Sequence, residues 1–387
     1  MSLDISIRGP PNADFVLGYP GIDASWPRIC GVVEVRSKKG APFRLKSLEL
    51  QLYRTEEITI PTARVMKQTR KETYTVGRHL QLHKETSQPQ SYLSMSFPFV
   101  YTLPFSKEMG LPSSMVIPKT ASTKYSLQAA GLEEDGKGEY IRTFCPITLL
   151  RYDSISSFSE FRQQQKVEAK SDDSLVDVRL MLDRTAFGPG DPVHMVIDVL
   201  PNPDLSHKSY KVKIKNIYID LQEVINFGTI SDGIVPKIKT IQAEKLDMPS
   251  SISLSEFGHR QDITFTFPSQ RKTSRDVLQR EDAGSPNTLI SSFTQISALY
   301  SVNFVLKVVV RFSGCKDVEI LQSLTVTPFD AETCQALLFP LNSVIQTTAN
   351  ATHIQPRPTL ILANDPSALS KLGMVLGSNQ QKNLWIE

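Results

Sequence analysis

The sequence predicts an all-β protein made of two tandem β-sandwich domains, and three observations lead to this prediction. Nine short segments alternate apolar and polar residues with a period of two, the pattern of a strand with one buried face. They are LDISI, ICGVVEVR, LELQLY, SMSFPF, VDVRLML, VHMVIDVL, IYIDL, DITFTF and LQSLTVTP. The 25 prolines and 19 glycines separate such segments, as expected for short strands joined by turns. Finally, the octet LKSLELQL at Leu45–Leu52 returns as IKNIYIDL at Ile214–Leu221, 169 residues later.

The repeat extends beyond this octet. The stretch that precedes it, RICGVVEVR, aligns with DPVHMVIDVL, and in each an acidic residue interrupts an apolar strand. The pair Phe97-x-Phe99 matches Phe265-x-Phe267, 168 residues later, and a Ser-Ser loop and an aromatic strand follow both pairs. Features in the same order at nearly constant spacing predict two immunoglobulin-type sandwiches of similar topology.

Composition changes mark the predicted domain boundaries. The stretch RYDSISSFSEFRQQQKVEAKSDDSL, residues 151–175, is rich in Ser, Gln and charge and is predicted to be a linker. The first domain then spans 1–150 and the second 176–345. Residues 346–387 contain three prolines and are predicted to be a C-terminal tail, with a short helix at Pro366–Leu376.

The bulk composition excludes several classes of function. The net charge of +3, from 43 basic and 40 acidic residues, argues against nucleic-acid binding. Four scattered cysteines without a CxxC pair favour a reducing, intracellular compartment. The first residues lack the apolar segment of a signal peptide, and the longest apolar run, Tyr300–Phe312, contains Lys307 and is too short to span a membrane.

Taken in order, these stretches resemble a known family. GYPGI at Gly18–Ile22, then PRICGVVEV, LELQLYRTE and FPF…LPSSM…KYSLQAAG, are similar to the N-terminal arrestin domain of fungal α-arrestins. The second half, from VRLMLDRTAFGPGDPVHMVIDV to LYSVNFVLKVVVRF, resembles the C-terminal arrestin domain, and the likeness covers about residues 3–330.

The resemblance implies an adaptor without enzymatic activity or cofactor. Proteins of this family bind the cytosolic tails of plasma-membrane transporters or receptors and bring a HECT-type ubiquitin ligase to them, so that the cargo is internalised. The resemblance implies a cytoplasmic protein, recruited peripherally to the anionic surface of plasma, endosomal or Golgi membranes. Family members recruit the ligase through PPxY or LPxY motifs, which dock as polyproline helices, and this sequence contains neither motif. Recruitment through a partner, a coat or vesicle-tethering subunit, and a scaffold for nutrient or pH sensing therefore stay open as alternatives.

Basic residues predict a contact surface for cargo or membrane. They cluster in a turn and in the segment from Thr62 to Lys84, and the candidates are Arg36, Lys38, Lys39, Arg64, Lys67, Arg70 and Lys71. Each basic residue near an anionic membrane contributes about 1 kcal/mol of attraction. The competing interpretation is an ordinary solvated loop and strand face.

Two further pairs of residues are candidates for regulation and for domain contact. Ser274 in RKTS and Ser285 before Pro286 match kinase substrate patterns, and phosphate there would add negative charge to a polar loop. Arg179 and Arg184 flank the first strand of the second domain, where the resemblance implies buried charges at an interdomain seam. Short kinase patterns also arise by chance, and an arginine at either position fits an ordinary surface equally well.

No motif predicts chemistry. His79 and His83 are four residues apart, which on a strand puts them about 13 Å apart, too far to share a metal ion. The sequence has no GxSxG elbow, P-loop or HExxH motif, and GKGEYI at Gly136–Ile141 lacks the third glycine of a dinucleotide loop. We therefore expect no metal site, no cofactor and no enzymatic activity.

Overall fold

The chain folds almost entirely into antiparallel sheets. The computed structural model describes residues 3–10, 13–37, 41–60, 68–85, 89–104, 111–134, 138–153, 155, 159–228, 234–271, 288–289, 292–349, 356–368 and 370–371. These residues belong to two compact units, the first formed by 1–153 with 340–387 and the second by 154–339.

The first unit contains two five-stranded sheets. One is formed by β1 (Leu3–Arg8), β2 (Val16–Leu17), β3 (Arg28–Ser37), β6 (Tyr92–Thr102) and β22 (Thr359–Leu362). The other is formed by β4 (Leu45–Ile60), β5 (Gln68–Lys84), β7 (Met115–Ile117), β8 (Ala121–Glu133) and β9 (Tyr140–Ile147). Their orders are β1-β3-β6-β22, with β2 also on β3, and β5-β4-β8-β7, with β9 also on β8.

The second unit contains a four-stranded and a six-stranded sheet. The first has β10 (Gln165–Lys170), β11 (Val176–Leu182), β13 (Pro192–Pro201) and β16 (His259–Thr266), in the order β10-β11-β13-β16. The second has β12 (Ala186–Phe187), β14 (Lys213–Phe227), β15 (Lys237–Ser253), β19 (Gln295–Ile296), β20 (Tyr300–Ser313) and β21 (Val318–Val326). Its order is β12-β21-β20-β14-β15, with β19 also on β20. A two-stranded ribbon joins β17 (Gln270–Arg271) to β18 (Thr288–Leu289).

Helical structure is sparse in the described residues. Three-residue 3₁₀ turns occupy Asp23–Ser25, Glu160–Arg162 and Pro203–Leu205, and a four-residue helix occupies Ser206–Ser209. The one long helix, Ala331–Ala349, was not predicted from the sequence. Pro340 lies inside it and breaks the helical pattern, because proline lacks the amide that an interior helical position donates.

The two octets of the repeat are the central strands of their sheets. β4 pairs with β5 on one side and β8 on the other, and β14 pairs with β15 and β20 in the same way. The next neighbours also correspond, since β8 pairs with β7 and β9 whereas β20 pairs with β19 and β21. The opposing sheets share the order β1-β3-β6 and β11-β13-β16. The prediction of an all-β sandwich fold is confirmed, and the pairing pattern is duplicated in the two units.

Alternation along the central strands places their apolar side chains in the cores. The aliphatic side chains that the octets share at every second position are at most 2 % exposed; they are Leu48, Leu50, Leu52, Ile217, Ile219 and Leu221. Opposite faces of a strand point to opposite sides of its sheet, so the intervening polar residues stay toward solvent. Hydrophobic burial on one face of each long strand therefore accounts for the sandwich arrangement.

Both ends of the second predicted domain contain structure that its composition did not reveal. Residues 151–175, predicted as a linker, include β10, which pairs with β11 in the second unit. Residues 346–387, predicted as a tail, include β22, which pairs with β6 in the first unit. Of the helix predicted at Pro366–Leu376, the described part has helical residues at Ala368, Ser370 and Lys371. Both extra strands are short, so neither offers enough alternation to be distinguished from coil in a polar context.

Candidate functional surfaces

The basic residues proposed as one contact surface occupy different regions of the first unit. Arg36 lies near the end of β3, opposite Ser94 on β6, which places it toward the first residues of β4. Arg70 and Lys71 lie opposite Ile58 and Glu57, near the last residues of β4. The length of β4, about 40 Å at 3.3 Å per residue, separates these positions. The structure does not bring them together, and Lys38, Lys39, Arg64 and Lys67 lie outside the described residues.

Acidic neighbours neutralise much of this positive charge. Arg36 is 3.3 Å from Glu34, and Arg8 is 3.2 Å from the same carboxylate. Arg70 is 2.6 Å from Glu72, and hydrogen bonds from Tyr74 and then from Arg70 lower the pKa of that carboxyl. The residue opposite Lys71 on β4 is also acidic. These pairs reduce the field that the described residues project into solvent, so this region is a weaker anion-binding surface than its basic residues suggested.

A buried ion pair underlies the β4–β5 hairpin. Arg54 is 3.0 Å from Glu56, and the side chains are 10 % and 0 % exposed. The Arg54 guanidinium also stacks 4.7 Å from the centre of the Tyr74 ring. Because both charges face the interior and each stabilises the other, the pair ties β4 to β5 at a place where an apolar core would otherwise be expected.

The GYPGI stretch forms a tight turn that holds the end of the first unit. The Tyr19 amide donates to Ser25 Oγ at 2.8 Å, and Ser25 Oγ donates to the Ile22 carbonyl at 2.6 Å. Gly21 has a φ of +94°, and a Cβ there would lie 3.0 Å from Asp153 Cβ. The Tyr152 amide donates to the Pro20 carbonyl at 2.7 Å. The glycine is therefore required by both backbone conformation and close packing.

The LPSSM stretch contacts the same segment that follows β9. The amides of Leu149 and Arg151 donate to the hydroxyls of Ser114 and Ser113, at 3.0 and 2.9 Å. The Tyr125 hydroxyl donates to the Pro112 carbonyl at 2.6 Å. The two stretches that carry most of the family resemblance thus have a structural role, because they fix residues 149–153 by hydrogen bonds.

Arg179 lies in a row of alternating charges on the outer face of the second unit. Strand register places Glu168, Arg179, Asp198 and Arg260 side by side on β10, β11, β13 and β16. Arg179 is 3.0 Å from Glu168. Alternating charges across neighbouring strands stabilise a sheet, which gives Arg179 a role within its own unit.

The other seam candidate, Arg184, also has its recorded partners within the second unit. Its guanidinium is 3.6 Å from Asp191, donates to the Pro192 carbonyl at 3.1 Å and lies 5.1 Å from the centre of the Phe187 ring. Its role at an interdomain seam stays a prediction, as does Arg179's. Ser274 and Ser285 lie outside the described residues.

The two histidines four residues apart have unrelated environments. His79 is 3.1 Å from Glu49. His83 Nε2 is 3.0 Å from the Leu45 carbonyl oxygen, and burial of the ring lowers the pKa of His83. Among the described residues, no group of three His, Cys, Asp or Glu side chains is placed to hold a metal ion, and no helix is long and apolar enough to cross a membrane.

One surface of the second unit was not singled out in the sequence. Four lysines occur within eight residues, at Lys208, Lys211, Lys213 and Lys215, and all four are exposed. The run HKSYKVKIK was aligned with the first half of the chain for its strand pattern, and its charge density was not used. Counting basic residues in short windows would have found it.

The chain has no detectable similarity to known families. No protein-family model matches it, and no curated protein matches its sequence significantly.

Proposed function

We propose that the protein is an arrestin-like adaptor that links plasma-membrane transporters or receptors to ubiquitin-ligase-dependent endocytosis. In this function the two sandwiches are rigid supports, and loops and strand ends at their rims bind the cytosolic tails of cargo. The ubiquitin ligase, of the HECT type, joins through a partner, because the sequence has no PPxY or LPxY motif of its own.

The observation that carries this proposal is the duplicated strand order. The central strands β4 and β14 have corresponding neighbours on both sides, in two sheets whose opposing partners also correspond. The resemblance to arrestin domains was based on the order of short stretches in the two halves, and a duplicated sandwich is the architecture that such an order implies. Fold alone does not establish function, so the proposal needs a test on cargo.

The adaptor function predicts that loss of the protein stabilises specific membrane proteins at the cell surface. Surface proteomics, comparing cells with and without the full chain, should show at least one transporter or receptor that is internalised more slowly in its absence. Affinity purification of the full chain should recover that cargo and a HECT-type ligase. Recovery of coat or vesicle-tethering subunits, with cargo turnover unchanged, would contradict the adaptor function.

A pair of charge reversals tests whether the β4–β5 hairpin contacts the cargo. Arg70→Glu with Lys71→Glu should reduce cargo recovery several-fold, since both residues are exposed near the end of β4. The matched control is Lys46→Glu with Lys84→Glu, which makes the same change in net charge at the opposite end of this hairpin. Equal recovery for both variants would remove the hairpin from the cargo surface while leaving the adaptor function to the surface proteomics.

A further inference from the structure

A lysine-rich segment forms one end of the second unit. We call residues 203–215 the lysine segment; it joins β13 to β14 and contains the four exposed lysines and one acidic residue, Asp204. No ion pair within the described part of the chain includes any of the four lysines. Because their ammonium groups are unneutralised by such pairs, this segment carries the most concentrated positive charge among the surfaces described above.

The lysine segment has a fixed conformation. Asn202 anchors its start, since its amide donates to the Leu175 carbonyl at 2.9 Å and its side-chain amide donates to the Ser174 carbonyl at 2.8 Å. Ser209 is fully buried, and its hydroxyl donates to the Asn202 carbonyl at 3.1 Å. Val212, 1 % exposed, anchors the other end in the core. Lysines held on such a scaffold lose less conformational entropy on binding than lysines of a free loop.

Three apolar side chains project from the same end of the unit. Leu205 and Tyr210 in the lysine segment are each 39 % exposed, and Phe257 is 85 % exposed. Phe257 stands in the turn Ser255–Gly258, whose preceding residue Leu254 donates its amide to the Val212 carbonyl at 3.1 Å. The turn is therefore adjacent to the lysine segment, and large apolar side chains that protrude beside lysines require an explanation.

The turn that presents Phe257 is closed by a glycine in the left-handed region. Gly258 has a φ of +75°, and a Cβ there would lie 2.4 Å from the Val199 carbonyl oxygen. The Gly258 amide donates to the Ser255 carbonyl at 3.0 Å. A tight turn packed against β13 holds the phenyl ring outward, so its exposure is set by the backbone.

We propose that this end of the second unit docks on an anionic lipid bilayer. The lysines contact the headgroup region, and Phe257, Leu205 and Tyr210 insert into the boundary between headgroups and acyl chains. Basic residues combined with protruding aromatic and aliphatic side chains are the features by which peripheral proteins bind such an interface. A protein partner would need a matching pocket for a phenyl ring at the apex of a turn, whereas a bilayer accommodates it without one. The inference does not depend on the proposed cargo or ligase.

Vesicle binding by the full chain tests the proposal. Vesicles of phosphatidylcholine with about 30 % phosphatidylserine should bind the protein, and pure phosphatidylcholine vesicles should bind it far more weakly. Each lysine near the surface is worth about fivefold in affinity, so Lys208→Glu with Lys211→Glu should weaken binding at least 25-fold, by roughly that factor per lysine. Phe257→Ser should weaken it about tenfold through the lost apolar insertion. Raising the salt concentration should weaken the charge contribution and leave the phenyl contribution.

Matched variants separate this surface from general charge and hydrophobicity. Lys237→Glu with Lys239→Glu makes the same charge change near the opposite end of the β14–β15 hairpin, and Ile296→Ser removes another apolar side chain, 79 % exposed, from that opposite end. Both should bind vesicles like the unmodified protein, and the unfolding midpoints of all variants should agree.

Equal weakening by tip and control variants would overturn the proposal, since binding would then follow net charge alone. So would binding to polyglutamate-coated beads that is as tight as vesicle binding and indifferent to Phe257→Ser, because that result would assign the surface to an acidic protein. Loss of vesicle binding with normal cargo turnover would leave the adaptor function standing, and the reverse result would leave the docking surface standing.

Discussion

The two units share one strand plan and differ in how their smaller sheets are completed. In the first unit the order β1-β3-β6 is extended by β22 on the β6 edge, and in the second the order β11-β13-β16 is extended by β10 on the opposite, β11 edge. β22 comes from the C-terminal residues, whereas β10 comes from the stretch just before its own unit. An uncovered sheet edge is a site of unwanted pairing, and each unit protects a different one.

The comparison shows which features duplication preserves. Core alternation on β4 and β14 is the same in both units because it is required to bury one face of a long strand. Edge strands bury little, so they are free to differ in origin and in side. β22 illustrates the limit of this freedom, since Ile361 is 2 % exposed although its strand has only four residues.

A second difference concerns charge on the core-facing side of the central strands. At the position where β4 has Arg54, 169 residues later β14 has Glu223. Arg54 is stabilised by Glu56, whereas Glu223, 3 % exposed, accepts a hydrogen bond from the Ser292 hydroxyl at 2.5 Å. The same position in the two units thus carries opposite charge, with a charged partner in one and a neutral partner in the other.

The largest expected effect tests the edge strands. Ile361→Asp should lower the free energy of unfolding of the first unit by about 4 kcal/mol, because it removes a buried aliphatic side chain and buries a carboxylate. The matched change on the other edge strand, Val167→Asp, should cost about 1 kcal/mol, since Val167 is only partly buried. Urea unfolding of the full chain measures both. Equal costs would show that the two edge strands contribute alike and would remove this difference between the units.

The charged core positions should give the next largest effect. Glu56→Ala leaves Arg54 buried without its closest acidic partner, so we expect a loss of about 3 kcal/mol. Glu223→Gln keeps an oxygen that accepts the Ser292 hydrogen bond, and we expect a loss of about 1 kcal/mol. The same unfolding measurement applies. A cost for Glu223→Gln as large as that for Glu56→Ala would indicate that the carboxylate charge of Glu223 matters in its own right.

The smallest effect concerns the free thiols. Burial, followed by the negative charges of Asp173 and Asp317, raises the pKa of Cys315 to about 12, whereas burial alone raises the pKa of Cys145 in the first unit. The thiolate is the reactive form, so at pH 8 Cys315 should react with iodoacetamide roughly tenfold more slowly than Cys145. Mass spectrometry of the labelled chain follows both rates.

A neutral substitution near Cys315 sharpens this test. Asp173→Asn removes one negative charge and should lower the Cys315 pKa, so the labelling rate should rise several-fold. The control is Asp172→Asn at the neighbouring position, whose carboxylate is 3.1 Å from Lys316. Identical rates for both variants would show that burial alone protects this thiol.

Much of the fold was predictable, because its signal is local. Each of the nine alternating segments lies largely within a strand, and the duplicated octets are the central strands. The candidate surfaces were less predictable. Arg36, Arg70 and Lys71 were grouped by sequence proximity, but strand register separates Arg36 from the other two and supplies acidic neighbours. Phe257 could not be linked to Lys211, because their proximity depends on the pairing of β14 with β15.

The sequence by itself determined that this chain forms half-buried strands in two similar sets, since the period of two is written in consecutive residues and needs no distant partner. Only the tertiary structure decided which strands complete each sheet, that a proline-containing stretch after Asp330 is helical, and which charges neutralise one another. Those outcomes depend on contacts between residues far apart in the chain. Such contacts leave no periodic trace in either segment alone, so alternation specifies the faces of a strand but not its neighbours.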